Sequence, residues 1–158
     1  MKAAIALLAA ASMLAPLAGT AAAQDNSQAS PMAAPPDEPY QPSLSDIMAH
    51  QQERHIKLWF AGHAGNWPLA DYEIGELGDG FDDVGKMLGG DIVKKHVGAA
   101  LEALQKAVDG KDSAAFPVAY DKLSAGCNAC HHTLDHAFIV IARPTVLPYS
   151  DQVFPSSK

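Results

Sequence analysis

The sequence holds only two cysteines in 158 residues, Cys127 and Cys130. They stand three apart, which excludes a disulfide framework joining distant parts of the chain. Stability has to come from packed side chains instead. Basic residues are also scarce: 11 Lys and Arg face 18 Asp and Glu, for a formal charge of −7. A chain of this sign is a poor partner for nucleic acid or an anionic membrane, both of which are bound through cationic side chains. Long apolar runs are absent beyond Leu17, so nothing later in the chain can span a bilayer. No segment alternates convincingly with period two, and no long-range repeat is visible. A sheet and a solenoid are both disfavoured.

Residues 1–23 read as an exported leader. Met1-Lys2 gives a short positive start, Ala3 to Leu17 is apolar and uncharged, and Ala21-Ala22-Ala23 offers small residues for cleavage before Gln24. The segment is too short and too rich in Ala for a lasting membrane anchor. Its removal leaves 135 residues with a charge of −8, enough for one domain. Residues 24–42 are rich in Pro, Ser, Ala and Gln, with too little apolar surface to offset the entropy of ordering, and read as a flexible linker.

From residue 43 to about 136 the pattern is helical. The first predicted helix starts at a Ser43 cap and runs to about Ala61, stopping at Gly62. The second opens at Asn66-Trp67-Pro68, with Asn66 as cap and Pro68 in the first turn, and reaches about Leu88 despite four glycines. Asp91 is the expected cap of the third, whose Ile92, His96, Val97, Ala100, Leu101, Leu104 and Val108 recur at helical spacing up to Gly110. The fourth begins near Asp112, carries Phe116, Tyr120 and Leu123 on one face, and continues into the cysteines. Four amphipathic helices with short connections predict an all-α, antiparallel four-helix bundle. From about residue 137 the chain is β-branched and punctuated by Pro144, Pro148 and Pro155. It is expected to lie extended along the bundle, with Tyr149 and Phe154 packed on neighbouring helices.

The chemistry is concentrated in Cys127-Asn128-Ala129-Cys130-His131. C-x-x-C-H is the signature of c-type haem attachment: each thiol adds across a vinyl group, and the adjoining imidazole takes an axial position on the iron. On a helix Cys127, Cys130, His131 and Leu134 fall at i, i+3, i+4 and i+7, on one face. One covalent haem c is therefore the expected cofactor. Thioether formation of this kind takes place outside the bacterial cytoplasm, so leader and motif agree on a periplasmic location.

A C-x-x-C-H on the last of four helices resembles the cytochrome c-prime family, the class II c-type cytochromes. The resemblance covers roughly residues 43–136, and its one specific motif is the pentapeptide. It implies that Cys127 and Cys130 are the thioether residues and His131 the proximal ligand. It also implies that the first helix supplies whatever faces the other side of the iron, and that the bundle can pair as a homodimer. Residues 137–158 exceed the family pattern.

On the first helix Met48, Gln52, His55 and Trp59 share one stripe. Met48 there gives a His/Met iron of raised potential, His55 gives bis-His ligation, and an apolar face leaves the iron five-coordinate. The remaining histidines, His50, His63, His96, His132 and His136, read as structural or surface residues. Arg54, Lys57 and Arg143 are cations able to meet haem propionates, although solvated surface charge is their default. Trp59, Phe60 and Trp67 are expected to pack around the porphyrin or between helices.

The leading function is a periplasmic mono-haem cytochrome carrying one electron between redox partners, one of them basic and steered by the acidic surface. The alternative is a five-coordinate protein binding nitric oxide or carbon monoxide. Enzymatic use, such as weak peroxidase activity, has no second motif behind it. A dithiol centre or a zinc site completed by His132 and His136 is the non-haem reading.

Overall fold

The computed structural model describes residues 39–156, and within them four helices account for the core. Helix α1 spans Leu44–His63, α2 Trp67–Leu88, α3 Ile92–Asp109 and α4 Ala115–Thr133. Connections of three to five residues force sequential helices to run antiparallel, giving an up-down four-helix bundle. The leader and most of the linker fall outside the described residues.

Local signals explain most of the boundaries. The Ser43 hydroxyl accepts from the Asp46 N–H while the Asp46 carboxylate accepts from the Ser43 N–H, a reciprocal capping box. The Ser43 hydroxyl and the Ser43 N–H, both donating to the Asp46 carboxylate, hold it below its ordinary range. The Asn66 side chain accepts from the Leu69 N–H at 3.2 Å, with Pro68 in the first turn as expected. Asp91 occupies the cap position of α3, but its side chain makes no capping bond. For α4 the capping is displaced: Asp112 Oδ1 accepts from the N–H groups of Ala114 and Ala115, and the helix begins three residues after it.

Helix α1 passes through the expected stop at Gly62 and ends at His63. Gly62 is buried, and the Phe116 ring of α4 fills the space that a Cβ there would occupy. The glycine is thus a packing residue, and helix termination falls to Ala64 and Gly65, where φ is +72°. Gly126 serves the neighbouring contact: a Cβ would lie 2.5 Å from the His96 carbonyl of α3.

Adjacent helices α1–α2, α2–α3 and α3–α4 pack extensively, whereas α1 and α4 touch sparsely. Their contacts lie between the C-terminal half of α1 and the N-terminal half of α4, where His55 and Trp59 meet Tyr120 and Phe116. Phe116, Tyr120, Leu58, Leu77, Leu104 and Leu123 are fully buried there. Each stabilises by roughly 1.5–3 kcal/mol on transfer grounds. At the other end α1 and α4 diverge.

The tail from 137 is extended, as expected, and stays on the helices. Arg143 pairs with Asp121 of α4 at 2.6 Å and lies 4.3 Å over the Trp59 ring of α1. Tyr149 lies under Lys57, and Phe154 packs on Phe60. The tail therefore bridges α1 and α4, the more loosely joined neighbours in the bundle.

Candidate functional site

The divergence of α1 and α4 leaves a cavity of about 570 Å³ at one end of the bundle, within the range of cofactor sites. Its walls are apolar: Leu77, Phe81 and Val84 from α2, Val93 and Val97 from α3, and Leu123 from α4. Ile139 and Ile141 of the tail line part of the same cavity. Such a wall favours an apolar ligand.

Helix α4 presents Cys127, Cys130 and His131 to this cavity. Both thiols lie in the last two turns of the helix, near the negative end of its dipole, where a thiolate is disfavoured. Burial pushes the Cys127 thiol up to about 12, with Cys130 adding a smaller repulsion, and burial also raises Cys130. Dithiol redox centres need the opposite, a thiolate stabilised at a helix N-terminus. Among the described residues no group of three or more His, Cys, Asp or Glu side chains converges as a metal site would require. His132 and His136 are exposed and do not complete one with the cysteines.

The His131 ring is held from behind. Its Nδ1 lies 2.9 Å from the Ile139 carbonyl, which can only accept, so Nδ1 carries a hydrogen, and in the neutral ring the lone pair is on Nε2. That tautomer suits an imidazole acting as a metal ligand through Nε2. The turn bringing Ile139 into place is built by His136 N–H donating to the His131 carbonyl at 2.7 Å and Ile139 N–H donating to the His136 carbonyl. Asp135, at φ +60°, supplies the left-handed step.

Across the cavity α1 contributes Met48, Gln51, Gln52 and His55. Met48 is half-buried against the core. His55 is buried and occupied on both nitrogens: Nε2 lies 2.8 Å from Ser124 Oγ and Nδ1 lies 2.8 Å from the Tyr120 hydroxyl. The Tyr120 hydroxyl also donates to the His55 carbonyl at 2.8 Å and the Ser124 hydroxyl to the Tyr120 carbonyl at 3.1 Å, so each hydroxyl is shared between a ring nitrogen and a backbone carbonyl. Burial depresses the ring to about 4, leaving it neutral. The same burial holds the Tyr120 hydroxyl well above its ordinary range. This closed knot ties α1 to α4 at the floor of the cavity.

Sequence reasoning singled out His55 but missed its partners, because Tyr120 read as core and Ser124 carried no signal at all. Gln51 was missed as well. It is buried, its Nε2 donates to the Leu77 carbonyl at 2.8 Å, and its Oε1 is a buried acceptor without a partner. Arg54, Lys57 and Arg143 do not line the cavity: Arg54 pairs with Glu76, Lys57 with Glu53, and Arg143 with Asp121. Trp59 stacks on Phe116 and His63, and Trp67 meets Phe116 edge-on, so both pack between helices. His96 reaches Thr133 across the α3–α4 surface. No helix among the described residues is long and apolar enough to cross a membrane. No known protein-family model matches this chain, and neither the curated proteins nor the solved structures give a match to it.

Proposed function

We propose that this protein is an exported mono-haem c-type cytochrome that carries one electron, similar in architecture to the cytochrome c-prime family. The observation that carries this reading is the convergence of Cys127, Cys130 and His131 from α4 with Met48 from α1 on one apolar cavity. The residues fit the group. Two thiols on one helix face, both lining the cavity, suit two vinyl additions. The free lone pair of His131 Nε2 suits one axial position, and the cavity has room for a porphyrin-sized ligand.

Haem bound there supplies a one-electron iron couple. The chain's own contribution is attachment, orientation and exclusion of water. Cys127 and Cys130 hold the porphyrin edge, while His131, fixed through Nδ1, presents Nε2 to one face. Leu77, Phe81, Val93 and Val97 keep the surroundings apolar. On the other face Met48 is favoured over His55. A ligating His55 would have to give up its bond to Ser124 or to Tyr120, which costs about 0.5–1.5 kcal/mol. Met48 forfeits no such bond, and His/Met ligation suits an electron carrier.

The experiment is a pair of absorption spectra of the exported product, oxidised and reduced, with and without carbon monoxide. Met48 ligation gives sharp low-spin ferrous bands and slow carbon monoxide binding, and Met48→Ala opens the iron to rapid binding. Rapid binding by the unaltered protein would instead make it a five-coordinate gas-binding protein. Unchanged spectra in both Met48→Ala and His55→Ala would remove both distal assignments.

A further inference from the structure

The C-x-x-C-H pattern leaves its two interior positions open, yet Asn128 is tied to the tail. Its Nδ2 donates to the Ile141 carbonyl at 2.8 Å, and the Ile141 N–H donates to its Oδ1 at 2.7 Å. One side-chain amide thus satisfies both backbone groups of a single tail residue, fixing the tail's register on α4. Two residues earlier the Ile139 carbonyl accepts from His131 Nδ1.

Burial holds this span only in part, through Ile139 and Ile141 at the cavity wall. Phe138 is 80% exposed and Val140 73% exposed, and no helix or strand runs through it. Its place is also set by hydrogen bonds and by the Arg143 contacts beyond it. A carbonyl inside a helix is rigid by itself; one on an extended loop needs a clamp.

We propose that Asn128 is a positioning residue for the axial imidazole. By clamping Ile141 it keeps the Ile139 carbonyl on His131 Nδ1, which fixes the ring's tautomer and rotation and raises its basicity as a ligand. The proposal rests on the haem reading above. It assigns a role to the tail, the segment that exceeds the family pattern, and to a motif position that haem attachment leaves unconstrained.

The test uses exported holoprotein in three forms: unaltered, Asn128→Ala, and Asn128→Asp. The last keeps the acceptor for Ile141 N–H but loses the donor. Haem content is measured first by pyridine haemochrome. Solvent exchange of the His131 Nδ1–H proton is then followed by NMR in the diamagnetic ferrous state, saturated with carbon monoxide if the sixth position is open. The Leu123 backbone amide serves as internal reference. The expected result is unchanged haem content in Asn128→Ala, with Nδ1–H exchange accelerated by roughly tenfold or more, the scale of outer-shell effects on ligating histidines. The Leu123 amide stays unchanged. Equal Nδ1–H exchange at full haem content would overturn the proposal, even if the variant melts earlier, while leaving the cytochrome reading intact. If Asn128→Ala loads no haem, Asn128→Asp carries the same comparison with the same two outcomes. Absence of haem from the unaltered protein would overturn the cytochrome reading itself.

Discussion

His55 is the residue whose environment most changes its ordinary chemistry. Folding lowers its pKa from 6.5 to about 4, so between these values the unfolded chain binds the extra proton. The stability this ring contributes is therefore present above pH 6.5 and is lost as the pH falls toward 4. The full loss is about 3 kcal/mol by linkage. Denaturant titrations of the unaltered protein and His55→Gln from pH 7 to pH 4 check this. The stability difference between them is expected to shrink as acid is added, and a constant difference would show that His55 is not held neutral. Ser124→Ala should also weaken the fold, by about 1–3 kcal/mol, because it leaves the buried His55 Nε2 without its partner. Thermal melts measure that loss.

At the scale of the helices, close approach is governed by two glycines. Gly62→Ala places a methyl group inside the Phe116 ring's position, so α1 and α4 must part or the ring must turn. A loss of about 1–3 kcal/mol is expected from overpacking, partly restored when Phe116→Leu is added. Unfolding curves of the single and double variants test the coupling. The four helices were legible from the sequence because Ser43, Asn66 and the apolar spacing from Ile92 to Val108 are local signals. Gly62 was misread as a stop for the converse reason: its use depends on a ring 54 positions away in sequence, which no local pattern reports. The motif face on α4 was legible from spacing alone. The Asn128–Ile141 clamp and the His55–Tyr120–Ser124 knot were not, since each depends on how separate segments meet. The departure of the tail from the helix was readable from its prolines, but its route across Trp59, Lys57 and Phe60 followed from tertiary contacts.

For the whole molecule the dominant property is negative charge, −7 over the full sequence. An electron carrier with this field should meet a basic partner faster at low salt. The Debye length shrinks from ~30 Å at 0.01 M to ~8 Å at 0.15 M. Stopped-flow electron transfer to a basic acceptor is expected to slow by on the order of tenfold across that range. A rate independent of salt would mean that the acidic surface serves solubility alone.

The role proposed for the cavity and the held imidazole rests on one premise, that the two thiols of α4 carry a porphyrin. The direct measurement is intact mass and pyridine haemochrome of the product exported from cells equipped for c-type maturation. The account expects one haem per chain, retained after acid and solvent extraction and lost from that covalent state in a Cys127→Ala, Cys130→Ala double variant. A colourless protein of unmodified mass with two titratable thiols would contradict it.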